Sequence, residues 1–188
     1  MSKLFVDEIV HQSSQGSGTI TIGASGETIN VVGTLQNNGA GVGGVNTPAF
    51  FVYKSSTQNL SDASWTLITF DTEQIDTDNA FASNTFTVPS GQTGTYVIGA
   101  YVEYNGGGSN LRDIGIEIRI NGTVQARQQS YFEASYPSRQ PQRIEKVVSL
   151  GAGDTVTIYG LLNVGSGTCQ ALGEDKGTNF YGYKLIGA

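Results

Sequence analysis

The alternation of apolar and polar residues predicts a chain built from β-strands. The clearest case is residues 114–120, where isoleucine occupies every second position and Gly115, Glu117 and Arg119 occupy the others. A second run places alternate apolar side chains on one face: Tyr96, Ile98, Ala100, Val102 and Tyr104. This period of two is the spacing of side chains on one face of a strand. No comparable helical period is present, so the pattern predicts an all-β fold.

The Asn121-Gly122 pair after the isoleucine strand predicts a hairpin. A two-residue turn would put a glutamine on the isoleucine face. A three-residue turn with a bulge would instead pair Ile120 with Val124. It would also set Ala126 opposite Ile118. Because a slip of one residue exchanges the two faces of a strand, burial favours the bulged turn.

The N-terminal part of the chain predicts two segments of a different kind. Residues 1–35 contain short alternating bursts, such as ITI at 20–22 and INV at 29–31, which are too short to bury a core alone. They predict an extended β arm that pairs with copies of itself or with another protein. Residues 36–47 are rich in glycine and lack large side chains, which is typical of a flexible connector. Residues 48–188 carry strand signals at short intervals, as expected for one β-sandwich.

Composition changes this picture in two respects. Glycine makes up 26 of the 188 residues, about twice the ordinary share, which is typical of a fold rich in turns. The single cysteine, Cys169, cannot form a disulfide within the chain and is expected to be a buried or half-buried side chain.

Charge and hydropathy exclude several classes of partner. A net charge of −6 with only ten Lys and Arg excludes a protein that grips nucleic acid backbones. No segment approaches the roughly 18 apolar residues of a membrane span. Two acids near the N-terminus, Asp7 and Glu8, interrupt the apolar run that a signal peptide needs. We therefore expect synthesis in a cytoplasm and no membrane insertion.

The residues offer little catalytic chemistry. The only histidine, His11, lies in the arm, so residues 48–188 have no imidazole to act as a general base or metal ligand. Four acids are crowded together: Asp71, Glu73, Asp76 and Asp78. Such a cluster could supply the carboxylate pair of a glycosidase or the oxygen ligands of calcium. Acids beside a turn more often accept hydrogen bonds from backbone amides, so we expect a structural role and no cofactor, with calcium as the alternative.

A recognition surface is predicted in the segment from residue 131 to residue 143. The segment places three aromatic residues and two arginines among turn-forming residues: Tyr131, Phe132, Tyr136, Arg139 and Arg143. This composition is typical of surfaces that bind a partner or stack on sugars. The alternative is that these aromatic residues pack under a long loop or between subunits.

Three segments resemble the C1q/TNF-like jelly-roll family. In residues 70–96, FDTEQIDTDNAFASNTFTVPSGQTGTY, the order of aromatic, acidic and glycine positions is similar to the family signature. LGAGDTVTI at 150–158 is similar to a strand entry of the family, and FYGYKL at 180–185 to its closing strand. The resemblance covers residues 48–188. It implies a jelly-roll β-sandwich that assembles as a homotrimer.

The function we expect is that of a non-enzymatic virion protein, made in the host cytoplasm. Short segments of the arm, such as GSGTITIG at 16–23, resemble leader segments of bacteriophage structural proteins. The arm would bind other virion proteins, while the trimeric domain of a tail fibre, head fibre or decoration protein would bind a host-surface glycan or protein. The alternatives are a virion-associated carbohydrate-active enzyme that uses the acidic cluster, and a cellular C1q-like binding module.

Overall fold

A computed structural model describes most of the chain from residue 47 onward. The described residues are 26, 32–33, 36–37, 40–41, 47–108, 110–133, 136–174 and 176–186. The chain divides into two units, residues 1–44 and 45–188. In the first unit, β1 (Gln36–Asn37) pairs antiparallel with β2 (Ala40–Gly41), inside the segment predicted to be a connector. The bursts of the predicted arm lie outside the described residues, so the arm stays a prediction.

The second unit is built from strands, and no helix occurs in its described residues. The strands are β3 (Ala49–Tyr53), β4 (Gln58–Asn59), β5 (Thr66–Leu67), β6 (Thr72–Asp76), β7 (Phe81–Ala82), β8 (Thr85–Thr87), β9 (Gly94–Asn105), β10 (Leu111–Ile120), β11 (Thr123–Tyr131), β12 (Arg139–Leu150), β13 (Thr155–Val164), β14 (Gln170–Ala171) and β15 (Asn179–Lys184). The predicted all-β fold is confirmed.

These strands form two antiparallel sheets. The first sheet has the order β12-β9-β15-β3-β6, with β14 also paired to β9 and β4 paired to β14. The second sheet has the order β11-β10-β13-β8-β7, with β5 also paired to β13. The chain crosses between the sheets after β9 and crosses back after β11, so β12 pairs with β9 along its whole length. Repeated crossings of this kind produce a jelly-roll sandwich.

The inner faces of the two sheets meet in an apolar core, as the alternation predicts. The side chains of β9 at 96, 98, 100, 102 and 104 are all fully buried, and so are the first three isoleucines of β10. An aromatic cluster joins the sheets, because Phe50 of β3 stacks on Phe86 of β8 with ring centroids 4.5 Å apart. Phe180 of β15 meets Phe50 edge-on at 4.8 Å. Such aromatic pairs add about 0.5–1.5 kcal/mol each beyond the area they bury.

The hairpin after β10 has a tighter turn than predicted. Ile120 lies opposite Thr123, so only Asn121 and Gly122 form the turn. Their φ angles are 50° and 78°, the left-handed values that a two-residue primed turn requires. The predicted pairing of Ile120 with Val124 is therefore wrong. An Asn-Gly pair adopts this turn at little cost, and the extra residue is accommodated elsewhere.

The extra residue forms a bulge within β11. The register shifts between Ile118 and Arg119, so Val124 and Gln125 together lie opposite Arg119. Ala126 then lies opposite Ile118, as predicted. The bulge thus keeps the glutamine off the isoleucine face by a different route from the predicted one.

Replacement of Ile118 by alanine tests the burial of this strand. Ile118 is fully buried and lies opposite Ile158 of β13. We expect Ile118→Ala to lower the free energy of unfolding by about 2–5 kcal/mol, through lost burial and a residual cavity. Equilibrium urea unfolding gives this value. Val124→Ala, at a 39% exposed position of the same hairpin, is the control and should change it by less than about 0.5 kcal/mol. An equally small effect of Ile118→Ala would contradict the burial.

Candidate functional site

The three aromatic residues of the predicted recognition segment have different surroundings. Tyr131 ends β11 in the second sheet, and its side chain is 69% exposed. Phe132 is partly buried and packs against the core, in line with the alternative interpretation. Tyr136 is half-buried in the following loop, and its hydroxyl donates to the carbonyl oxygen of Glu133 at 3.3 Å. Only Tyr131 therefore presents most of its surface to solvent.

The two arginines of that segment lie on β12 in the first sheet, and both form ion pairs. Arg139 Nη2 is 2.7 Å from Glu174 Oε2. Arg143 Nη2 is 3.4 Å from both Glu145 Oε2 and the hydroxyl oxygen of Tyr181. The predicted surface is thus divided between the two sheets and a loop. Its role in recognition stays a prediction.

Asp71 of the acidic cluster organises the turn after β3. Its carboxylate accepts hydrogen bonds from the backbone amides of Ser55 at 2.6 Å and Ser56 at 3.2 Å. The hydroxyls of Ser56 and Thr72 also donate to it, at 2.5 and 3.1 Å. Partial burial acts to raise the pKa of Asp71, but these hydrogen bonds outweigh it and hold the pKa well below its usual value. The geometry agrees with the structural role expected for this acid.

Asp76 has a similar role at the turn between β6 and β7. Its two carboxylate oxygens accept hydrogen bonds from the backbone amides of Ala80 and Phe81, at 2.9 and 3.0 Å. This contact fixes the entry of Phe81 into the aromatic cluster. Within the described part of the chain, no group of three or more His, Cys, Asp or Glu side chains is arranged to hold a metal ion.

Aromatic side chains cover the outer face of the first sheet, opposite the core. They come from three neighbouring strands: Phe51 and Tyr53 of β3, Tyr101 of β9, and Tyr181 and Tyr183 of β15. We call these five side chains the aromatic band. Two exposed apolar residues border it, since Val147 of β12 lies opposite Val97 and Ile75 of β6 lies opposite Phe51. The exposed fractions of Val147 and Ile75 are 59% and 47%.

Glycine makes the close packing of this band feasible. Tyr181 lies opposite Gly99 in the sheet, and a Cβ atom at Gly99 would come within 2.3 Å of the Tyr181 ring. The hydroxyl of Tyr181 donates to Glu145 Oε2 at 2.7 Å. Burial and this hydrogen bond raise the pKa of Tyr181. A cleft of about 370 Å³ opens beside it, lined by Tyr101, Arg143, Gly177, Asn179 and Tyr181.

Sequence reasoning did not single out the aromatic band, although a signal is present. In FFVY at 50–53 and FYGY at 180–183, large apolar or aromatic residues occur on both faces of the strand. Strands of that kind are typically covered on both sides.

The outer face of the second sheet is built around a buried carboxylate. Glu117 has no exposed surface, and its oxygens accept hydrogen bonds from Arg119 Nε at 2.7 Å and Arg127 Nε at 2.6 Å. The Arg119 guanidinium lies 3.7 Å from the ring centroid of Tyr159, and that of Arg127 lies 4.9 Å from Trp65. Trp65 is half-buried on this outer face. We call these five residues the arginine layer.

Acid unfolding tests the role of Asp71. Because the folded state holds the pKa of Asp71 below the unfolded value of about 3.9, the stabilisation is present above that value and is lost as the pH falls below it. We expect Asp71→Asn to be less stable than the parent protein at pH 7. The difference should shrink as the pH falls below about 4. Thermal unfolding as a function of pH measures this.

The control is Glu73→Gln, which removes one negative charge at an exposed position of the same region. It should leave the pH dependence close to that of the parent protein. A constant difference between Asp71→Asn and the parent protein at all pH values would mean that the carboxylate charge is not responsible.

Comparison with solved structures identifies the type of fold. No protein-family model and no curated protein sequence matches this chain. The globular domain of zebrafish complement 1qA matches with a TM-score of 0.54 at 15% identity, over 74% of this chain and 98% of that one. Murine APRIL matches with a TM-score of 0.53 at 16% identity, over 73% and 98%. Eiger TNF from S. frugiperda matches with a TM-score of 0.55 at 13% identity, over 77% and 96%.

At these identities the likeness concerns the fold. The two antiparallel sheets, the repeated crossings between them and the structural neighbours agree on one architecture. The fold is a C1q/TNF-like jelly roll.

Proposed function

We propose that this protein is a non-enzymatic binding module that works as a homotrimer. The observation that carries the proposal is the aromatic band on the outer face of the first sheet. Tyrosine and phenylalanine are enriched at protein interfaces, whereas exposed apolar patches are kept small on monomers. A second copy of the chain would cover the band and its borders, Val147 and Ile75. The sequence resemblance to C1q/TNF-like domains, which implies a trimer, supports the same assembly.

The edge of the first sheet supports contact through the face and not through strand pairing. β12 is one of the edge strands, and its exposed positions carry Pro141, Arg143 and Glu145. Proline lacks an amide donor, and charged side chains on an edge oppose the addition of another strand. Copies of the chain would therefore meet by packing side chains of one face against a neighbour.

The acidic cluster supports a binding function over an enzymatic one. The carboxylate of Asp71 accepts hydrogen bonds from backbone amides of the turn after β3, and that of Asp76 accepts them from its own turn. A glycosidase needs two carboxyl groups that face each other across a substrate cleft. Catalysis and a bound cofactor are accordingly not part of the proposal.

We further propose that this binding module is displayed on a virion and that the protein is made in the host cytoplasm. Its support is the sequence of residues 1–35, whose short bursts separated by glycine resemble leader segments of phage structural proteins. The arm would attach to other virion proteins, and the sandwich would bind a host-surface glycan or protein. Three copies side by side would multiply a weak affinity per site by avidity.

Light scattering on the purified protein tests the trimer. We expect three times the chain mass of 19.8 kDa. Val147→Asp should reduce the mass to that of one chain, because an aspartate placed in a dry interface would lose its hydration without a partner. Thr87→Asp, at an exposed position on β8 of the second sheet, is the control and should remain trimeric. A single-chain mass for the unmodified protein at micromolar concentration would refute the assembly.

Removal of residues 1–47 tests attachment to a virion. The remaining sandwich should keep its melting temperature, since its core lies within residues 50–180. It should no longer join particles when it is supplied in place of the full chain. Quantitative mass spectrometry of purified particles gives the copy number. If the shortened chain joins particles at the normal copy number, the arm is not the anchor.

A further inference from the structure

In the part of the chain that the structure describes, Arg112 differs from the other arginines in lacking a carboxylate partner. The sequence contains five arginines. Within the described residues, the other four each form an ion pair: Arg119, Arg127, Arg139 and Arg143. A solvent-exposed arginine has five N–H donors and no acceptor, so an unpaired one can bind an anion with both arms of its fork.

A bulge in β10 directs this side chain. The register with β13 passes from Leu111 opposite Val164 to Asp113 opposite Asn163, so Arg112 is an extra residue without a cross-strand partner. Bulges commonly re-aim a side chain at the end of a sheet, next to functional sites. Arg112 therefore leaves the alternation of its strand and turns toward the loops at this end of the sandwich.

Two neighbours hold the guanidinium group in place. Its Cζ lies 5.5 Å from the centre of the Tyr136 ring. On Gly165, a Cβ atom would come within 2.8 Å of Arg112 Nε, so the absence of a side chain there makes room for the group. The contact between the guanidinium and the Tyr136 ring requires no N–H hydrogen bond, so the N–H groups of Arg112 stay available for a ligand.

The Asp113 carboxylate is engaged elsewhere, and an exposed aromatic ring lies close along the ladder. The Asp113 carboxylate is 9% exposed and accepts hydrogen bonds from Gln129 Nε2 at 3.1 and 2.8 Å. Tyr131 lies opposite Asp113 in the β10–β11 ladder and is 69% exposed. The next residue, Phe132, donates its backbone amide to the carbonyl oxygen of Arg112 at 2.8 Å. The Arg112 guanidinium and the exposed ring of Tyr131 thus lie at the same end of the sandwich.

We propose that Arg112, Tyr136 and Tyr131 form a subsite for an acidic sugar, whose carboxylate pairs with the Arg112 guanidinium. This inference rests on the proposed function and names the ligand class of its glycan-binding surface. The planar fork of arginine matches a carboxylate, and the exposed ring of Tyr131 supplies a flat surface for the sugar ring. In this proposal Arg112 and two tyrosines contact the sugar, and the β12 arginines lie outside the subsite.

Isothermal titration of the full chain with trigalacturonate tests the subsite, with the fully methyl-esterified trisaccharide as the uncharged partner at the same ionic strength. We expect binding of the acid and at least about tenfold weaker binding of the ester. Arg112→Ala should weaken binding of the acid by at least about tenfold. Arg112→Lys should have an intermediate effect, since it keeps the charge and loses the fork. Lys184→Ala removes a cation as a control and should not change the affinity. Lys184 ends β15 and lies opposite Tyr96, near the start of β9 and so at the opposite end of the sandwich.

Equal binding of the acid and its ester, or unchanged binding by Arg112→Ala with a parent-like melting temperature, would overturn the subsite. Should Arg112→Ala fail to fold, Arg112→Lys decides by the same comparison. If trigalacturonate does not bind at millimolar concentration while the protein is a trimer, the subsite is refuted and the proposed function stands. A monomeric protein that binds the acid through Arg112 would refute the trimer and leave the subsite in place.

Discussion

The stacking of Phe50 on Phe86 joins the two sheets, and the remaining architecture depends on that contact. Rings from both sheets gather around it, including Phe81 and Phe180 at 5.8 and 4.8 Å. The only cysteine, Cys169, is buried, and burial raises its pKa to about 11, so the thiol is unreactive. The sandwich is therefore held together by the burial of alternate side chains. Because the apolar core takes up the inward positions, the outward positions are available for other roles.

The two outer faces use this freedom in different ways. The second sheet closes its outer face with the arginine layer, in which Glu117 is neutralised from both sides by Arg119 and Arg127. A buried ion pair adds little net stability, but it fixes the positions of long side chains that would otherwise be mobile. The first sheet carries the aromatic band, where Arg143 and Glu145 contact the hydroxyl of Tyr181. The outer face of the second sheet thus buries a charged side chain, whereas that of the first sheet presents half-buried aromatic rings.

Local sequence patterns were sufficient to predict some features, and others depend on distant pairings. The isoleucine alternation identified β10, because it acts within one strand. The structural role expected for Asp76 likewise depends on its own turn. Asp71 instead accepts hydrogen bonds from amides 16 and 15 residues earlier in the chain. The predicted hairpin register was partly wrong. A two-residue turn with a bulge in β11 and a three-residue bulged turn both keep glutamine off the isoleucine face, so burial alone does not distinguish them. Arg112 could not be recognised, because its bulge is defined by pairing with β13 about fifty residues later. The closeness of Tyr181 to Gly99 likewise depends on strands far apart in sequence.

The pairing of the first and last strands of the sandwich has a topological consequence. Ala49 of β3 lies opposite Tyr183 of β15, and the backbone amide of Lys184 donates to the carbonyl oxygen of Pro48 at 3.1 Å. Entry and exit points of the domain are therefore within one hydrogen bond of each other. Domains with adjacent termini tolerate insertion into a surface loop of a host protein, as well as circular permutation. A short linker across this pair, with a new opening in the exposed Asn121-Gly122 turn, would reorder the chain while preserving every strand pairing.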